Sequence, residues 1–316
     1  MEHKTLLRFV DDYNLPIALL DEPYFSYFLN LYDEDFGTLA KYEMLQDTVK
    51  KLGSEAAFLE EYYKVRDAVI CKTKDMPEYG QYLGDDMKKY AIDTSQMPNL
   101  GKQDIYNRTN VGRYFVSVDM SKANFQVLKK YNKRLVFNAD TYEEYMAWFT
   151  NVPYIIGSKY TRQVIFGNMK PKKQVAMQRF YMRQVFDYLY DDSNVYYHDA
   201  GGRCIGGDQF RVFTNDEIVF ETDGYMPAEE AETMKRSIKR ALDIDVTVKS
   251  FLLKDIGGKD YFVKEYENGT RDFKKIPPDI FPQVYKKYCG IRLEDNDFLF
   301  FYNGRLARYI EPLFLD

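Results

Sequence analysis

Histidine is nearly missing from these 316 residues, with only His3 and His198 present. Chemistry built on several imidazoles, a His-rich metal site above all, is thereby excluded, so an active site must run on carboxylates, Lys, Arg and Tyr. Cysteine is just as sparse. Cys71, Cys204 and Cys289 are odd in number and far apart, which fits neither a disulfide framework nor a Cys-based zinc site and points to a reducing compartment. No apolar run reaches 18 residues and no signal peptide opens the chain, so the expectation is a soluble, cytoplasmic protein with no membrane partner. A positive excess is lacking too: the formal charge is −5. That argues against a nucleic-acid binder using its whole surface, while leaving room for a local basic groove.

What is abundant is tyrosine and phenylalanine, 29 and 23 residues against one tryptophan. Tyrosine suits half-buried surfaces, and the Tyr-rich termini are candidate contacts for protein partners. With 45% apolar and 29% charged residues the balance is that of a globular chain, long enough for one large or two ordinary domains.

Residues 1–100 read as mainly helical, with Gly53-Ser54 dividing the helical spacing of residues 38–70 into two pieces. Residues 73–110 repeat Pro, Gly, Asn and Asp, the texture of a connecting loop. At Arg113–Asp119 the chain turns to Val, Phe and Tyr, a strand. Ser121 is placed to cap a helix Lys122–Tyr131, Leu135–Phe137 suggests a short strand, and Thr141-Tyr142-Glu143-Glu144 has capping-box spacing. Ser158 suits the N-cap of a helix from Lys159 to about Phe166, stopped by Gly167-Asn168. Pro171 suits the first position of a longer one to Tyr190. Phe210–Thr214 and Ile218–Glu221 flank Asn215-Asp216-Glu217 as a hairpin with two acids at its tip. A helix Ala228–Leu242, acidic at its start and basic at its end, and a strand Val246–Leu253 follow. Glu267-Asn268-Gly269 marks a second hairpin.

Strand, helix, inserted helical stretch, hairpin, helix, strand is the β-α-β-β-α-β order of a ferredoxin-like sheet once the insertion is set aside. In that topology the first strand lies beside the hairpin, which brings Asp119 near Asp216. Two neighbouring carboxylates repel unless they share a cation, so a divalent metal ion is the expected cofactor.

Three of these segments resemble, in order, the family A DNA polymerases. Val118-Asp119-Met120-Ser121-Lys122-Ala123-Asn124 is similar to that family's motif A, and Asn110-Val111-Gly112-Arg113 to its lead-in. Asn215-Asp216-Glu217-Ile218-Val219-Phe220-Glu221 is similar to the His-Asp-Glu hairpin of motif C, with Asn215 in place of His. Ser158–Gly167 is similar to the fingers helix. Arg162 falls on the position of a triphosphate-binding Lys, and Phe166-Gly167 on a Phe-Gly four residues later, which shares its helix face. The resemblance covers about half of the chain, residues 110–255.

The resemblance implies an α+β chain with a ferredoxin-like polymerase palm and short helical fingers over residues 101–255. Residues 1–100 would form a thumb-like helical lobe and 256–316 a small C-terminal β/α appendage. It implies a metal-dependent nucleotidyltransferase adding nucleoside triphosphates to a 3′-hydroxyl of DNA or RNA. Asp119, Asp216 and Glu217 would be the catalytic carboxylates, with Asp119 and Asp216 holding the metal, which the resemblance makes Mg²⁺ or Mn²⁺. Arg162, Lys159, Phe166 and Asn124 would meet the nucleotide, and Lys172, Lys173, Arg179 and Arg183 would line the nucleic-acid path. Asn124 stands where the family has a sugar-discriminating Glu. Only 54 positions separate Arg162 from Asp216, so most of the family's fingers is absent.

Two further readings stand beside this one. A palm without activity would serve as a binding or assembly module. Gly206-Gly207-Asp208-Gln209-Phe210 is similar to the Gly-Gly-Asp-Glu-Phe signature of diguanylate cyclases, another Mg²⁺-using palm-like fold.

Overall fold

The computed structural model describes residues 1–93, 105–190, 205 and 209–312. Its centre is a six-stranded sheet in the order β2-β3-β1-β4-β5-β6, antiparallel throughout. The strands are β1 (Tyr114–Met120), β2 (Phe210–Phe213), β3 (Glu217–Thr222), β4 (Val246–Ile256), β5 (Lys259–Tyr266) and β6 (Arg271–Lys274). The mixed α+β class expected from the sequence is therefore present.

Strand alternation sorts the side chains into two faces. Val116, Val118 and Met120 of β1 join Ile218 and Phe220 of β3 in the main buried cluster. That face is covered by helices α7 (Ala123–Tyr131), α11 (Pro171–Tyr190) and α12 (Ala228–Leu242), which pack against one another and against β3 and β4. Phe115, Val219, Phe251 and Phe262 point the other way into a smaller cluster, roofed by Ile105 from the segment before β1. Toward Asp119 this second face turns polar, and there it is open.

The N-terminal helices α1 (His3–Tyr13), α2 (Tyr24–Leu31), α3 (Asp33–Phe36), α4 (Thr38–Leu52), α5 (Glu55–Lys74) and α6 (Pro77–Gly84) contribute to the same main cluster as the sheet. Three short helices lie between α7 and α11: α8 (Tyr142–Ala147), α9 (Pro153–Gly157) and α10 (Lys159–Gly167). Helix α10 packs on α1 and α5. No helix among the described residues is long and apolar enough to cross a membrane.

Several local expectations hold for the reasons given. Thr141 and Glu144 form the reciprocal capping box, Ser158 accepts from the Thr161 amide, and Gly53-Ser54 divides α4 from α5. Others are corrected. Ser121 does not cap α7; its hydroxyl meets that of Thr247 at 2.9 Å and ties β1 to β4, while Lys122 (φ 51°) leads into the helix. Lys133–Val136 is a 3-10 helix and not a strand, because the Asn132 side chain accepts from the Arg134 amide and Phe137 turns left-handed. The loop-like texture that begins at residue 73 gives way to helix α6, opened by Pro77 at its first position. The C-terminal part is not set apart from the sheet. Gly257 and Gly258, both at positive φ, make a two-residue turn from β4 into β5, so β5 and β6 extend the same sheet. Helix α13 (Phe281–Cys289) then packs Phe281 and Tyr285 edge-on against Tyr32 of the N-terminal helices.

One buried polar network fixes where α10 sits. The Asp12 carboxylate, fully buried on α1, accepts from Tyr62 Oη at 2.5 Å, Ser158 Oγ at 2.7 Å and Tyr154 Oη at 2.9 Å. Arg8, one turn earlier, lies 3.3 Å from the same carboxylate and stacks 3.5 Å over the Tyr160 ring. Asp12→Ala would leave three buried hydroxyls without their acceptor, while Arg8 keeps Asp11 at 2.6 Å, and is expected to cost about 3 kcal/mol, against about 1 kcal/mol for Tyr154→Phe, both read from urea unfolding.

Candidate functional site

The turn between β2 and β3 is closed by Thr214. Its amide donates to the Glu217 carbonyl at 2.8 Å, and its hydroxyl accepts from the Glu217 amide at 3.0 Å. This presents the Asp216 carbonyl to the Met120 amide, 2.7 Å away at the end of β1. Asp119 lies opposite Glu217 in the β1–β3 register. The end of β1 and the acidic tip are thus joined through the main chain.

Alternation puts Ser117 and Asp119 on the open face together with Thr247 and Lys249 of β4. Ser117 Oγ donates to Glu217 Oε1 at 2.5 Å. The same carboxylate oxygen lies 3.5 Å from Lys264 Nζ on β5. Because β1 and β4 separate β3 from β5, that contact requires the sheet to curl over its open face. The curl shapes a cavity of about 350 Å³ lined by the acids Asp119, Glu217 and Asp272 and by Lys249, Lys264 and Lys274. Asp216 stands at the turn beside Glu217, outside that lining.

Crowding shows in the charges. Burial, then the negative charges of Asp216 and Glu217, push the Asp119 carboxyl up to about 7; Lys264 and Lys249 pull the other way. Asp216 is raised as well, by burial first and then by Glu217. Burial lowers Lys264, with Glu217 opposing. Two acids that resist ionising together are a donor set that a cation relieves. Among the described residues no group of three or more His, Cys, Asp and Glu is placed to hold a metal ion. Any such ion would rely on the carboxylate pair, with water or phosphate oxygens completing its shell.

The other expected residues are placed differently. Phe166 is fully buried, its ring stacked on Tyr145 at an interplanar angle of 23°, so it offers no face to a nucleotide. Its neighbours explain this: aromatic residues of α8 fill the space that the fingers ring would face. Arg162 lies 5.6 Å over the Tyr142 ring, and Lys159 is exposed at the start of α10; neither lines the cavity. Asn124 accepts from Gln178 Nε2 at 2.5 Å, which ties α7 to α11.

Lys173 is a correction to the basic path. Its buried ammonium donates to the carbonyl of Asp85 at 3.0 Å and to that of Tyr82, holding the end of α6. Arg183 donates to Asp187 at 2.7 Å and to the Asp93 carbonyl at 2.5 Å. Lys172 and Arg179 are exposed, on a helix that covers the opposite side of the sheet from the cavity. The loop Gly206–Asp208 of the cyclase-like motif lies outside the described residues.

Sequence reasoning missed Lys249, Lys264 and Lys274. The usable signal was alternation: Lys249 and Phe251 share a strand face, as do Phe262 and Lys264. Nothing local says that these two strands fold over Asp119.

Burial and repulsion make the ionised Asp119 unfavourable to the fold. Its folded-state value of about 7 lies above the ordinary 3.8, so between those limits the folded protein holds a proton that the unfolded chain has lost. The associated stability is complete below the lower limit and is lost as pH rises through the upper one. Asp119→Asn cannot ionise. It is expected to stabilise the protein by on the order of 2 kcal/mol at about pH 8 and to flatten the decline from about pH 5, read from thermal unfolding across that range. The chain matches no family model, no curated protein and no solved structure.

Proposed function

We propose that this protein is a metal-dependent nucleotidyltransferase of a reduced polymerase-palm type, joining a nucleoside triphosphate to the 3′-hydroxyl of a DNA or RNA strand. The observation that carries this reading is the main-chain bond from Met120 to Asp216, which fixes the Asp119 strand end against the acidic hairpin tip. The first four strands, in the order β2-β3-β1-β4 with helices on one face, support a ferredoxin-like palm underneath it.

Asp119 and Asp216 are the residues that would hold Mg²⁺ or Mn²⁺. Bound there, the ion supplies Lewis-acid activation of the 3′-hydroxyl and neutralises charge on the departing pyrophosphate. The protein's own contribution is positional. With its carboxyl raised to about 7, Asp119 would exchange a proton for the cation near neutral pH, so deprotonation and metal capture are coupled at one carboxyl group. Glu217 is held by Ser117 and Lys264, which keeps a third carboxylate fixed beside the pair without competing for its place. The open side of the curled sheet leaves room for a strand end to approach.

A second reading, a palm that binds nucleic acid or a partner without catalysis, draws on Phe166, whose ring is closed off in the core. Labelled-nucleotide incorporation onto a primed or single strand separates the two. The transferase reading expects activity with Mg²⁺ or Mn²⁺ and a loss of about a hundredfold or more in Asp119→Ala and in Asp216→Ala. Oligonucleotide binding without any incorporation favours the second reading. Mn²⁺ affinity should also weaken by about tenfold for each pH unit below about 7, as one proton competes for Asp119; titration calorimetry measures this directly.

A further inference from the structure

The most unusual cation in the molecule is Lys264. It is 7% exposed, yet its ammonium borders an open cavity and meets its carboxylate partner, Glu217 Oε1, only at 3.5 Å. That is long for a charge-assisted bond, and the same oxygen already accepts from Ser117 at 2.5 Å. Aromatic faces complete its surroundings, with Nζ 4.4 Å from the Phe251 ring centroid and 5.7 Å from that of Tyr106. A buried cation with one loose partner retains unused donors.

Two more lysines face the same space. Lys274 comes from β6, its Nζ 2.8 Å from Asp272, and Lys249 comes from β4, its Nζ 5.4 Å from the Tyr266 ring. With Asp119 ionised, the lining carries three cations and three carboxylates: Lys249, Lys264 and Lys274 against Asp119, Glu217 and Asp272. Once a metal ion takes up the charge of Asp119, the cations are in excess, and the cavity suits a compact polyanion. Its volume of about 350 Å³ lies at the small end of ligand sites. By contrast, the helix expected to grip phosphate has its ring in the core and its arginine lying over Tyr142.

We propose that the triphosphate of the incoming nucleotide lies in this cavity, gripped by Lys249, Lys264 and Lys274 of the sheet, and not along α10. The proposal rests on the transferase reading and adds the residues that hold its substrate. Three ammonium groups from three strands, beside the carboxylates, place the polyphosphate next to the metal-holding pair.

The test is titration calorimetry of the intact protein, with Mn²⁺ in excess throughout, using inorganic tripolyphosphate and, separately, a non-hydrolysable nucleoside triphosphate analogue. Lys249→Ala, Lys274→Ala and Arg162→Ala are compared with the wild type. Lys264 is left in place because it is buried against Glu217, whereas Lys249 is exposed and Lys274 half-buried, so their variants keep the fold. Each lysine variant is expected to weaken both ligands by about tenfold or more, as befits loss of one charge-assisted contact. Similar losses for both ligands place the grip on phosphate, and a loss seen only with tripolyphosphate overturns a nucleotide site. Wild-type affinity in both lysine variants overturns the proposal, as does loss confined to Arg162→Ala or weakening of single-stranded oligonucleotide alone. Incorporation of nucleotide together with unaltered phosphate affinity in the lysine variants removes this site and leaves the transferase reading. Lysine-dependent phosphate binding by a protein that never incorporates nucleotide does the reverse.

Discussion

A 2.7 Å main-chain bond holds the end of β1 to the tip of the β2–β3 hairpin, and it forces negative charges together. Asp119, Asp216 and Glu217 cannot move apart without breaking the strand pairing that places them. The repulsion is met in two ways. Asp119 keeps its proton toward neutral pH, and Glu217 is drawn off by Ser117 and by a lysine that reaches across two intervening strands. A site that remains electrostatically unsatisfied inside a well-packed fold is where function is sought first.

The remainder of the molecule keeps that site from relaxing. Helices α7, α11 and α12 cover one face of the sheet, so the curl exposes the other face only. The N-terminal helices share the main apolar cluster with the sheet, and α13 closes against them from the far end of the chain. Asp12 binds α1, α5, α9 and the start of α10 through one carboxylate. Charge is also spent structurally elsewhere: Lys173 holds the end of α6, and Lys286 is buried 2.9 Å from Asp297.

Local structure was legible where one short stretch contains its own cause. Thr141 with Glu144, Ser54, Ser158, Pro171 and the charge order of α12 each set a helix end from neighbours within a turn, and the hairpin turns at Asn215 and Asn268 behave likewise. Readings failed where a distant group decided. Ser121 had the look of a cap, but Thr247 takes its hydroxyl. Phe166 had the spacing of a ligand-facing ring, but Tyr142 and Tyr145 close over it. Lys173 has the charge expected along a nucleic-acid path, but the end of α6 claims it.

From the sequence alone came the order of the four central strands, and with it the neighbourhood of Asp119 and Asp216. Hydrogen-bond capping, turn chemistry and alternation act over a few residues and are written in the residues themselves. The fold decided what surrounds that pair. That β5 and β6 continue the sheet follows from the tight turn at Gly257-Gly258, but how far the sheet curls depends on contacts between strands that are not neighbours, such as Lys264 with Glu217. Those contacts turn Lys249, Lys264 and Lys274 from ordinary strand lysines into the lining of a cavity shared with Asp119 and Glu217.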